Sequence, residues 1–193
     1  MKNTAKLLTA AALLLPALAF AHLDGTAHSH GGFASGLVHP FTGADHLAAM
    51  LAVGVWSALT IRPVWAAPLA FVALLAVGAL AGFMGLAVPG VEPMIAASLL
   101  ALGLLVAWRG HLPTAAAAAL AGAFAFFHGA AHGSELGGDG QWAALLGMVV
   151  ATAVLHCVGI ALGRAVVQRT RWVQLATGLA TALLGVGLLV RMA

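Results

Sequence analysis

The fold class this sequence predicts is an all-α integral membrane protein, with six transmembrane helices after a cleavable signal peptide. Three observations predict it. The 193-residue chain is 63% hydrophobic and only 7% charged, whereas a soluble domain carries roughly a quarter charged residues. Its apolar residues form long runs without alternation, most of them close to the ~20 residues a membrane helix needs. Its few ionisable groups gather near the ends of those runs. A soluble fold of this size could not hide so much apolar surface, so lipid must be the solvent for most of it.

The elements follow in order. Lys2 and Lys6 precede an apolar stretch from Leu7 to Phe20, and Ala19-Phe20-Ala21 is a small-x-small cleavage site. Residues 1–21 thus read as a secretory signal peptide. Cleavage removes both lysines, leaves six arginines against five acids and makes His22 the first residue. Residues 22–32 form a His- and Gly-rich tail without apolar periodicity, and 33–193 form the membrane domain. Its six apolar segments run roughly 33–60, 66–88, 92–108, 114–134, 141–163 and 172–190.

Orientation follows from the arginines. Arg62, Arg109, Arg164, Arg169 and Arg171 fall after segments one, three and five, and only Arg191 lies at the other side. An excess of Arg and Lys marks the cytoplasmic face, and a cleaved signal peptide independently puts the mature N-terminus outside. The expected location is a bacterial inner membrane with a periplasmic N-terminus. Trp65, Trp108, Trp142 and Trp172 sit near segment ends, as interfacial aromatics do. Gly78/Gly82, Gly129/Gly133 and Gly159/Gly163 are pairs spaced by four, a spacing that lets helix backbones approach closely in lipid.

Several classes are set aside. The formal charge of +3 comes from scattered residues, which is no nucleic-acid footprint. The single cysteine, Cys157, offers neither a disulfide framework nor a thiolate metal site. No GxxxxGK[ST] phosphate loop is present.

Ionisable groups inside a membrane cost about 2.5–3.5 kcal/mol each on insertion scales, and those that persist usually line a cavity and have a task. Here His39, Asp45 and His46 lie in the outer part of segment one, and His128, His132 and Glu135 at the outer end of segment four. Glu92 opens segment three and Asp139 follows segment four. In the predicted topology all of these converge on the periplasmic side. On a helix, His128, His132 and Glu135 fall on one narrow stripe. Imidazoles one turn apart can share a metal ion, and a carboxylate below can join it or hold the imidazoles from behind. His39 and His46 are seven residues apart, ~10 Å along a regular helix. Either Pro40 and Gly43 break the turn or the two are successive stations. Asp45 is expected about 100° around the helix from His46. Met50, one turn beyond His46, is either the next station inward or packing. His156 is an inner ligand or a structural hydrogen-bonding residue, and Glu92 a ligand or a hydrated interfacial acid. His111 is expected to be a core residue making a hydrogen bond. His22 could chelate metal through its α-amine and imidazole, with His28 and His30 assisting, or belong to an ordinary polar tail.

Two segments carry a family resemblance. His39-Pro40-Phe41-Thr42-Gly43-Ala44-Asp45-His46 resembles the HX5DH motif of the HupE/UreJ nickel permeases, and Phe127-His128-Gly129-Ala130-Ala131-His132-Gly133-Ser134-Glu135 resembles their FHGxAHGxE motif. The signal peptide, six segments and length match as well. The resemblance implies secondary transport or facilitated diffusion of nickel, with cobalt as a further cargo, in support of hydrogenase or urease maturation. It implies that His39, Asp45, His46, His128, His132 and Glu135 handle the metal, as cargo and not as a permanent cofactor. Imidazole and carboxylate also suit zinc. A different class therefore stays open: an intramembrane zinc hydrolase with Glu135 or Asp45 as general base. Bis-histidine haem is weaker, since no CxxCH is present.

Overall fold

The computed structural model describes residues 32–193; the expected signal peptide and His22, His28 and His30 lie outside the described residues. Within them the chain is helical throughout: α1 (Phe33–Thr42), α2 (Ala44–Thr60), α3 (Ala66–Phe83), α4 (Val91–Trp108), α5 (Thr114–Glu135), α6 (Gln141–Leu162) and α7 (Arg171–Met192). A π-helical turn, Gly163–Val167, extends α6. The five helices α3 to α7 are long and apolar enough to cross a membrane, and α2 is a shorter apolar helix. Leu69, Met84, Leu146 and Leu183 are all more than half exposed, so large apolar side chains clothe the outside of the bundle.

The first expected segment is two helices, not one. Gly43 takes an extended backbone (φ −92°, ψ 117°) between α1 and α2, one turn after Pro40, which brings no N–H to the helix. At the broken end Thr42 Oγ1 donates to the His39 carbonyl at 2.7 Å. The second expected segment also ends early, at Phe83, because Gly85 adopts a left-handed conformation (φ 69°) there, a common way for a helix to stop.

Small residues decide which helices pair. A Cβ on Gly78 would collide with the Phe126 carbonyl, one on Gly129 with the Leu75 carbonyl, and one on Gly133 with that of Ala79. The first and second glycine pairs therefore face each other, and α3 and α5 run side by side in the same direction. Helix α3 fills the space beside Gly129 and Gly133. Likewise α6 lies along α1 and α2 through Gly36, Gly54, Gly147 and Gly159, and α4 pairs with α7 through Gly103, Gly178 and Gly185. Between these pairs lies a core that includes the fully buried Trp56, Phe71, Leu75, Leu99, Leu102 and Met148.

Helix direction alternates from α2 to α7. The starts of α2, α4 and α6 and the ends of α3, α5 and α7 thus share one side. That side carries Asp45, His46, Glu92 and Glu135; the opposite side carries Arg62, Arg109, Arg164, Arg169 and Arg171. Trp65, Trp108, Trp142 and Trp172 are each 46–79% exposed at helix ends, as expected for interfacial aromatics. His111 is exposed in the connection before α5, outside any helix, so the expectation of a core histidine there is wrong.

Candidate metal site

The break at Gly43 builds the site. In a continuous helix His39 and His46 would stand ~10 Å apart along the axis. With α1 and α2 separated, both reach the same residue of α5. The His39 and His132 ring centroids are 4.6 Å apart, and those of His46 and His132 are 4.1 Å apart. His46 also meets His128 at 5.0 Å. Four imidazoles from three helices form a continuous row running from half-exposed His39 to fully buried His128 and His132.

Carboxylates and one hydroxyl orient the row. Glu135 Oε2 is 3.0 Å from His39 Nε2 and 3.7 Å from His132 Nδ1. Asp45 Oδ1 is 3.0 Å from His46 Nδ1. Asp45 and His46 stand about 100° apart as neighbours on a helix, yet their side chains meet. In the open first turn of α2 the short carboxylate folds back onto its neighbour's ring. An ionised carboxylate only accepts, so Nδ1 of His46 carries the proton and Nε2 presents its lone pair. Ser98 on α4 acts in the same way. Its hydroxyl donates to the Ile95 carbonyl at 2.6 Å, so at 2.9 Å it accepts from His128 Nε2, and Nδ1 of His128 is the free lone pair. Such outer partners fix the tautomer of a ligating histidine and aim it.

The outcome is a set of buried nitrogens with no protein partner: His46 Nε2, His128 Nδ1 and both nitrogens of His132. Buried polar atoms are rarely left unpaired, and here four such atoms lie in touching rings. One ligand atom from each of His39, His132 and Glu135 lies within 4.8 Å of the others. Bonds of about 2.1 Å to a common ion would draw these atoms closer together. His132 belongs both to this outer trio and to the inner contacts with His46, so an ion could pass between them without losing every ligand.

A cavity of about 650 Å³ leads to the row. Asp45, His46, Glu92, Ser134 and Glu135 line it, with apolar walls from Leu86, Val91, Ile95 and Leu188. Glu92 is thus brought to the approach, while Asp139 stays in an exposed loop. Three carboxylates around an opening attract cations and offset their charge on desolvation. Met50 is fully buried, its sulfur accepting from Thr152 Oγ1 at 3.5 Å. His156 is also buried and lies apart from the row, its ring 5.1 Å from that of Phe71. Two members were not foreseen. Ser98 is one hydroxyl in an apolar run, and Phe71, whose ring lies 5.8 Å from that of His128, is one aromatic among many apolar residues.

Comparison with known proteins agrees with the motifs. A family model described as HupE / UreJ protein matches residues 10–188. The chain is 44% identical over 164 residues to Protein HupE of Rhizobium leguminosarum bv. viciae, an alignment covering 84% of each chain. No solved structure matches.

Proposed function

We propose, from the premise that this chain belongs to the HupE/UreJ family, that it carries a divalent transition metal, nickel first and cobalt second, from periplasm to cytoplasm. The family is one of membrane transporters associated with nickel and cobalt for hydrogenase and urease, and the maturation of such an enzyme is the expected destination of the ion. The observation that carries the reading is the row of imidazoles with unspent lone pairs behind an acid-lined cavity. In this reading Glu92, Glu135 and Asp45 gather the hydrated ion. His39, His132 and Glu135 take it first; His46 and His128 replace its remaining waters. Imidazole and carboxylate bind late first-row divalent ions well, and the absence of thiolate from the row keeps release possible, as conduction requires. The arginine-rich end faces the cytoplasm by the positive-inside rule. A membrane potential of 100 mV then drives a doubly charged ion inward by ~4.6 kcal/mol, from about 2.3 per charge.

The test is initial-rate uptake of radioactive nickel into proteoliposomes, wild type against His132→Ala, with cobalt and zinc as competitors. Wild type should accumulate nickel, cobalt should compete better than zinc, and His132→Ala should fall to the protein-free background while remaining inserted. Normal uptake by the variant would remove His132 from the path. The trio of His39, His132 and Glu135 also has the make-up of a catalytic zinc site. A wild type that moves no nickel but keeps stoichiometric zinc through purification would favour that hydrolase reading instead.

A further inference from the structure

Deeper in the bundle, His156 is 1% exposed and neither of its ring nitrogens has a protein hydrogen-bond partner. Among the described residues its ring meets that of Phe71 edge-on, and the Phe71 ring also packs against His128. A structural histidine in an apolar interior normally spends at least one nitrogen on a neighbour. The nearest hydroxyl along α6 is that of Thr152, one turn away, and it donates to Met50 Sδ instead. The structural-hydrogen-bond reading of His156 is therefore not what the structure has.

The register of the neighbouring helix adds to this. Gly54 of α2 packs against the His156 carbonyl and against Gly159, which places His156 level with the turn after Met50. His46, Met50 and Ser57 lie on one stripe of α2, within about 40° of each other. Ser57 Oγ is buried and without a partner. From the histidine end inward, the donors thus run His46, Met50, His156, Ser57. Eight residues of helix separate the levels of His46 and Gly54, ~12 Å, too far for one ion to share both groups.

We propose that His156 is a second, inner binding station for the divalent transition metal, reached past Phe71 from the outer row; the assignment rests on the transport reading above. An imidazole with a thioether and a hydroxyl at the neighbouring levels of α2 suits a late first-row ion and not calcium or magnesium. The station has no carboxylate nearby among the described residues, so it binds more weakly than the outer row and favours onward release.

The experiment uses the full chain. His156→Phe keeps an aromatic ring against Phe71 and removes both nitrogens. In nickel uptake it should lower the maximal rate at least tenfold and leave the half-saturating concentration unchanged, since the outer row still captures the ion. In equilibrium dialysis with nickel it should bind one ion fewer per chain than wild type. Wild-type rate and stoichiometry in this variant would overturn the assignment. A second variant, His156→Cys in a Cys157→Ser background, guards against misfolding. Added cobalt should produce a thiolate-to-metal charge-transfer band, and a well-folded protein without that band would equally overturn it. Should the wild type move no nickel, transport fails while dialysis and the cobalt band still decide the station.

Discussion

The two ends of the bundle treat polar atoms in opposite ways. At the arginine end a group of side chains closes helix termini and connections. Arg109, the residue that caps α4 with φ 52°, donates from Nε to Gln174 Oε1 at 2.7 Å and from its guanidinium to the Gln168 carbonyl at 2.9 Å. Gln174 Nε2 in turn satisfies the Val106 and Ala107 carbonyls at 2.9 and 2.8 Å. Trp56 Nε1 donates to the Gly110 carbonyl at 2.8 Å, and Thr114 Oγ1 to that of Arg62 at 2.7 Å. At the histidine end the helix breaks at Gly43, and four imidazole nitrogens stay unpaired. Each such group costs about 1–3 kcal/mol. The difference teaches that one end stabilises the fold, whereas the other keeps polar atoms in reserve for something that is not protein.

The sharpest way to break this comparison is to exchange the ends' roles in a stability measurement. Gln174→Leu removes the acceptor of Arg109 Nε and the amide donor shared by the Val106 and Ala107 carbonyls, which keep only the longer bonds from the Arg109 backbone N–H and from Arg171. It should lower unfolding stability in detergent by about 3 kcal/mol, in line with buried bonds to a charged group. Nickel binding at a permissive temperature should stay at the wild-type level. His128→Leu should do the reverse, leaving stability unchanged or raised, because it removes an unpaired nitrogen while Ser98 keeps its bond to Ile95. A larger stability loss from His128→Leu than from Gln174→Leu would show that the imidazole row is structural.

A finer probe removes charge without removing shape. Glu135→Gln retains an acceptor for His39 but loses the negative charge that offsets the arriving ion. Stability should change by less than about 0.5 kcal/mol, as for an exposed substitution. The half-saturating nickel concentration for uptake should rise about tenfold, equivalent to ~1.4 kcal/mol of ion binding. An unchanged half-saturating concentration would leave Glu135 as a mere partner of His39.

How far these two ends could be read in advance differs from element to element. The apolar runs of segments three to six became α4 to α7 with shifts of one or two residues, because lipid demands length and apolarity and the chain states both plainly. The convergence of His39, Asp45, His46, His128, His132 and Glu135 on one side followed from alternating helix direction alone. The break between α1 and α2 was legible as one of two options, since Pro40 and Gly43 interrupt a helix only if something else rewards the interruption. The roles of Ser98 and Phe71 were not legible. A hydroxyl or an aromatic in an apolar run carries no sign of which helix it will face, and that choice is made by the glycine contacts pairing α3 with α5 and α4 with α7. The contact of Asp45 with His46 was not legible for a related reason: helical angles place the Cβ atoms and not the reach of adjacent side chains.

The smallest effect concerns the seal between the core and the arginine end. Trp56 is fully buried, and its indole N–H reaches out of α2 to the Gly110 carbonyl, in the connection that follows the left-handed Arg109. Trp56→Phe keeps an aromatic ring in nearly the same space and removes only the donor. The cost is one hydrogen bond and a carbonyl that nearby water at the interface can partly satisfy, so about 1 kcal/mol is expected, read as a modest drop in unfolding temperature. The informative measurement is transport in the same variant. If the arginine end acts purely as a fastening, uptake of nickel at saturation should be unchanged once the variant is folded. If uptake instead rises, the Trp56–Gly110 bond also holds the inner end of the path shut. The division into a fastening end and a reactive end would then hold for the folded state but not for the transport cycle.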